Sequence, residues 1–79
     1  MKTYIVTYTG NSSRFKGFAQ PVKAKSPRLA TEHIYSLYID GQYFPQDDES
    51  ILDAQGNLVA SPTDDKMEYD GSYFVAQEI

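Results

Sequence analysis

Only one stretch of this chain carries a helical period, and it is marked at both ends. Ser26-Pro27 opens it. A Ser side chain caps the free N–H groups of a first turn, and Pro suits the first helical position, where its missing N–H has no intrahelical use. Gly41 stops it. Between these marks, Ala30, Ile34, Leu37 and Tyr38 recur at helical spacing as the core stripe, flanked by Leu29 and His33. Everywhere else Gly, Pro, Asn and Asp interrupt the chain too often for a second helix of that length. With 79 residues there is room for one domain, spanning 1–79. The expected fold is α+β: an antiparallel β-sheet with one α-helix packed on a face, in the order ββα followed by β-hairpin strands.

Residues 3–9 alternate, with Tyr4, Val6 and Tyr8 on one face and Thr3, Ile5, Thr7 and Thr9 on the other, which predicts a strand. Asn11-Ser12-Ser13 formally matches a glycosylation acceptor but reads as turn chemistry. Residues 14–25 predict a second strand, with Gly17 suggesting a bulge and Pro21 an edge position. Residues 40–50 read as a loop. Beyond it, residues 50–53 and 58–60 flank a turn at Gly56, and residues 67–69 and 72–76 flank Asp70-Gly71, the dipeptide of a tight hairpin. The expected core is Ile5 or Val6, Val22, Ala24, Ala30, Ile34, Leu37, Leu52 and Val75. Tyr35 and Ile39 then fall on the solvent side of the helix, with Tyr43 and Phe44 just past its end. Apolar residues so placed are expected to anchor a partner, the alternative being that Tyr43 and Phe44 close the core.

Recognisable catalytic chemistry is missing from the pattern. There is no cysteine, hence no thiol nucleophile, disulfide or Cys-based zinc site. The single histidine, His33, sits mid-helix beside apolar residues, and the serines have no recognisable base and orienter. Asp47-Asp48-Glu49 and Asp64-Asp65 lack the alternation of a calcium loop. The glycines are scattered one per turn rather than grouped around a phosphate. The expectation is a protein that is not an enzyme and takes no cofactor and no metal. No run is apolar for long enough to span a bilayer, and residues 1–6 do not read as a signal peptide, so a cytoplasmic, non-membrane protein is expected.

Charge is the most uneven property of the chain. Residues 1–28 hold six Lys and Arg and no acid, whereas residues 29–79 hold eleven Asp and Glu and only Lys66. The halves carry +6 and −10 within a net charge of −4. Either they pair in the fold, or one of them meets a charged partner. The acids on loops and turns (Asp47, Asp48, Glu49, Asp64 and Asp65) would make a negative surface for a protein with a basic groove. Arg14, Lys16, Lys23 and Lys25, interleaved with Phe15 and Phe18, offer the rival surface, a nucleic-acid platform.

The run from Val22 to Ser36 resembles the strand-to-helix segment of the archaeal ribosomal LX family. After its helix that family carries a Gly-Ser-x-His and Arg/Lys-bearing segment, whereas here Gly41 leads into Gln42-Tyr43-Phe44 and then acids. The resemblance therefore implies a ββαβ shape and no RNA-facing residues.

The leading expectation is a non-enzymatic, small acidic protein-interaction domain. Its analogues in size and charge are phage and mobile-element inhibitors, of anti-CRISPR or anti-restriction type, of a host nucleic-acid-handling complex. The alternative is a small RNA- or DNA-binding accessory domain that uses the basic N-terminal hairpin.

Overall fold

A computed structural model describes residues 1–10 and 12–79. Asn11, the acceptor position of the glycosylation-like triplet, lies outside the described residues. β1 (Lys2–Tyr8) and β2 (Phe18–Ala24) pair antiparallel, from Lys2 against Ala24 to Tyr8 against Phe18. Helix α1 (Pro27–Tyr38) follows, then three short strands: β3 (Tyr43–Pro45), β4 (Ile51–Asp53) and β5 (Leu58–Ala60). β6 (Lys66–Tyr69) and β7 (Ser72–Glu78) close the chain as a hairpin. Asp70 and Gly71, at φ 54° and 84°, make its two-residue turn. The left-handed backbone at both positions is what Asp-Gly supplies at low cost.

The strands form two antiparallel sheets rather than one. The larger has the order β2-β1-β7-β6 and the smaller β3-β4-β5. The expected loop at 40–50 contains β3, whose three residues pair with β4 from Tyr43 against Asp53 to Pro45 against Ile51. A strand that short leaves no readable alternation in sequence. The second strand begins at Phe18, after Gly17. A Cβ on Gly17 would stand 2.9 Å from the Tyr8 carbonyl oxygen, so the glycine permits a close backbone approach instead of forming a bulge within the strand.

The helix begins and ends where its marks place it. Ser26 caps it, accepting from the Leu29 N–H at 3.2 Å, and Ile39 is the C-cap residue. Its rotation differs from expectation. Leu37 is 61 % exposed, whereas Tyr35 and Ile39 are buried. The cause is that α1 has two buried faces. Ala30 and Ile34 lie in the core cluster with the four-stranded sheet, while Arg28, Glu32, Tyr35 and Ile39, spaced four, three and four apart, form a second buried stripe. Tyr35 joins the layers: its ring centroid lies 5.1 Å from Phe74 and 5.2 Å from Tyr43, and its hydroxyl donates to the Glu68 carbonyl.

The rest of the core is aromatic. Tyr4, Tyr8 and Phe74 are sealed from solvent, and Phe15, Phe18, Tyr38 and Tyr69 lean on them. Tyr hydroxyls at the margin of this cluster find acceptors: Tyr8 donates to the Tyr69 carbonyl at 2.8 Å and Tyr38 to Gln20 Oε1 at 3.0 Å. Val6, Ala24, Ala30 and Ile34 are buried as expected and Val22 partly so. Val75 is exposed, because the Asp70-Gly71 turn sets Met67 opposite Phe74 and turns those two inward. Leu52 is half-buried and belongs to a different surface, described next.

Candidate functional site

The small sheet has an inner and an outer face. Ile51 and Ala60, which are cross-strand partners, point into the core. Phe44, Leu52 and Leu58 are also cross-strand neighbours, Phe44 against Leu52 and Leu52 against Leu58, and therefore share the opposite face. They form one apolar row toward solvent. The register shifts between Ile51 and Leu52, so that β5 carries one residue more than β4 opposite it. This bulge leaves Val59 exposed beside Leu58 and widens the row.

Both acidic turns leave from one end of this sheet. Pro45, Ile51 and Ala60 are aligned across its three strands, so residues 46–50 and 61–65 leave from the same end of the sheet, starting two residues beyond the apolar row on β3 and β4 and three on β5. Their own carboxylates shape them. Asp48 Oδ1 accepts from the Ser50 N–H at 3.0 Å and from the Ser50 hydroxyl at 2.6 Å. Those hydrogen bonds hold its carboxyl below the usual range, so it stays ionised. Asp64 Oδ2 accepts from the Ser61 N–H at 2.9 Å. Glu49, at φ 67°, accepts from the Ser26 hydroxyl and so ties the turn to the helix cap. Asp47 and Asp65 are exposed.

The two halves of the chain do not neutralise one another by direct pairing. Among the described residues, ion pairs join only Lys2 to Glu78, at 3.5 Å, and Arg14 to Asp40, at 2.7 Å. The five acids of the two turns are in neither. No Lys or Arg occurs between Arg28 and Lys66, so the small sheet and its turns contain no cation.

The expected aromatic contact surface of Tyr35, Ile39, Tyr43 and Phe44 is corrected by this geometry. Tyr35 and Ile39 are core residues, because the small sheet covers the helix face that periodicity assigned to solvent. Tyr43 is partly buried and folds back edge-on to the Tyr35 ring. Phe44 alone is exposed, and its cross-strand neighbour is Leu52, with Leu58 one strand beyond. A three-residue strand gives no periodic signal, so its register against β4 is what identifies this row.

The rival platform is rearranged too. Phe15 and Phe18 lie within the aromatic cluster, with Phe18 stacked on Tyr38 at 4.3 Å and Phe15 on Tyr69 at 5.7 Å. Arg14 is engaged by Asp40. Lys16, Lys23 and Lys25 stay exposed, without an aromatic surface between them. His33 is exposed on the helix, and among the described residues no three His, Asp or Glu side chains gather as a metal site. No helix is long and apolar enough to cross a membrane.

All three nitrogens of the Arg28 guanidinium are shut from water without a hydrogen-bond partner among the described residues. Four positions along the same face, burial pushes the Glu32 carboxyl above its usual range. No known protein family, curated protein or solved structure matches the chain.

Proposed function

We propose that the chain is a non-enzymatic binding domain that engages a basic protein partner through the small sheet, in the manner of an inhibitor that occupies the nucleic-acid-binding surface of a host complex. One observation carries this reading: an exposed apolar row lies beside two acidic turns that leave from the same end of the small sheet and form no ion pair among the described residues. Exposed apolar residues supply contact area, and unneutralised carboxylates steer a cationic surface toward it. A groove built to hold phosphates supplies such cations.

The test is affinity capture from a nuclease-treated extract of the native host, comparing the parent with a variant carrying Asp47→Asn, Asp48→Asn, Asp64→Asn and Asp65→Asn. Asn keeps an oxygen acceptor for the Ser50 and Ser61 hydrogen bonds while removing charge. The parent is expected to retain basic nucleic-acid-binding proteins and to release them when duplex DNA or RNA is added. The variant should retain about tenfold less, and raised salt should weaken capture. Equal capture by the variant sinks the reading. So does a gel shift of labelled nucleic acid by the chain alone that depends on Lys16, Lys23 and Lys25.

A further inference from the structure

We infer that the outer face of the small sheet seats a basic amphipathic helix of the partner, laid along Phe44, Leu52 and Leu58 with its cations over the turns at Asp47, Asp48, Asp64 and Asp65. This rests on the proposed function and adds the shape of what binds. The row is open: Phe44 is 46 % exposed, Leu58 61 % and the adjoining Val59 37 %. It runs across the strands, so its repeat is the strand spacing of about 4.8 Å. A helix presents side chains on one face about every 5.4 Å, a turn at a time. An extended segment presents them about every 6.6 Å, two residues at a time, which fits the row less well. Sheet and helix periods therefore stay nearly in step over three contacts.

Charge selects the occupant further. The site has five carboxylates along one end and no Lys or Arg in the segment 29–65; Lys25 and Lys66 border it, lining clefts with Asp47 and Glu49 and with Asp64 and Asp65, and leave an excess of negative charge. A second copy of this chain would bring to that rim a small sheet equally without cations, and a nucleic acid would bring phosphates. The other solvent-facing sheet surface is a poorer seat. On the outer face of the four-stranded sheet, Ile5 and Val75 are separated by Thr7 and Gln77, and the Lys66 ammonium sits 4.3 Å above the Tyr73 ring.

Titration of isotope-labelled protein tests this with three probes. They are a Leu/Lys peptide of about eighteen residues, roughly five helical turns, with Leu on one face; its scramble; and poly-lysine of the same length. The amphipathic peptide should shift the amides of Phe44, Leu52, Leu58 and both turns, saturate at one per chain and gain helicity on binding. Phe44→Ser and Leu58→Ser, both at exposed positions, should leave the thermal melt in place and weaken that peptide about tenfold each, as for interface anchors. Poly-lysine should touch the turns alone and be released by salt. If scramble and amphipathic peptide bind alike, or the shifts map to the four-stranded sheet, the helix seat is wrong while acidic capture stands. Self-association through Phe44 and Leu58 that excludes the peptide makes the occupant a second copy and overturns the inference. If neither the amphipathic peptide nor poly-lysine binds, the proposed function falls with it.

Discussion

On the outer face of the four-stranded sheet, Thr3, Thr7, Lys23 and Gln77 stand among Ile5, Pro21 and Val75, and the single exposed aromatic, Tyr73, is covered by Lys66. On the outer face of the three-stranded sheet, Phe44, Leu52 and Leu58 stand next to one another. Both faces look to solvent, yet only the first follows the polar-out pattern of a half-buried sheet. Their inner faces differ as well. The large sheet contributes Tyr4, Val6, Tyr8 and Phe74 to the core, and the small one contributes chiefly Ile51 and Ala60. Stability is thus concentrated in the large sheet and helix. The small sheet departs from the stabilising pattern in the place where binding is proposed.

The comparison breaks most readily at Phe74, whose ring meets Tyr8, Phe15, Phe18, Tyr35 and Tyr38. Phe74→Ala should cost about 3–5 kcal/mol, enough to unfold a domain of this size, as a urea melt would register. Ile34→Ala should cost about 2–5 kcal/mol, whereas Leu37→Ala should stay within about 0.5 kcal/mol. Equal effects from the two would return the helix to its single-stripe orientation.

A smaller change of opposite sign is expected at Arg28. Arg28→Met keeps an unbranched side chain and removes a buried charge that has no hydrogen-bond partner among the described residues, so it should raise stability by about 1–3 kcal/mol. A destabilised variant would mean that the guanidinium has a partner.

Two titrations sharpen the contrast further. Burial raises Tyr35 to about 12, with the nearby Tyr43 and Glu68 adding to it. The unfolded chain ionises this tyrosine near pH 10, so its contribution is full below pH 10 and is lost as pH rises from about 10 to about 12. Alkaline melts of Tyr35→Phe should lack that slope. Glu32 behaves likewise at acid pH: its folded carboxyl is raised, so stability falls as pH climbs from the ordinary Glu value through the raised one. Glu32→Gln should flatten that part of the profile, and an unchanged slope would assign it to another group.

Local chemistry made much of this fold legible. Ser26-Pro27, Gly56 and Asp70-Gly71 mark the helix start and two turns because each requirement is met within a few adjacent residues. The helix rotation was hidden because a second sheet covers α1. Thr31 and Glu32 are polar residues in buried positions, so the hydrophobic stripe under-reports the buried arc. The same cause misplaced the candidate site. Phe44 was legible as an apolar loop residue, but Leu52 and Leu58 join it only through a register that three-residue strands do not encode. The acidic turns were readable as charge, and their departure from one end of the small sheet depends on that register as well.

Pro21 has a consequence for how the molecule meets copies of itself. β2 is an outer strand of the large sheet, and Pro21 lies at its middle, opposite Ile5. A neighbouring chain adding a strand along this margin would miss one backbone donor at mid-length and meet the ammonium of Lys23 two residues on. Strand addition along this otherwise open margin is therefore disfavoured by the covalent structure of a single residue.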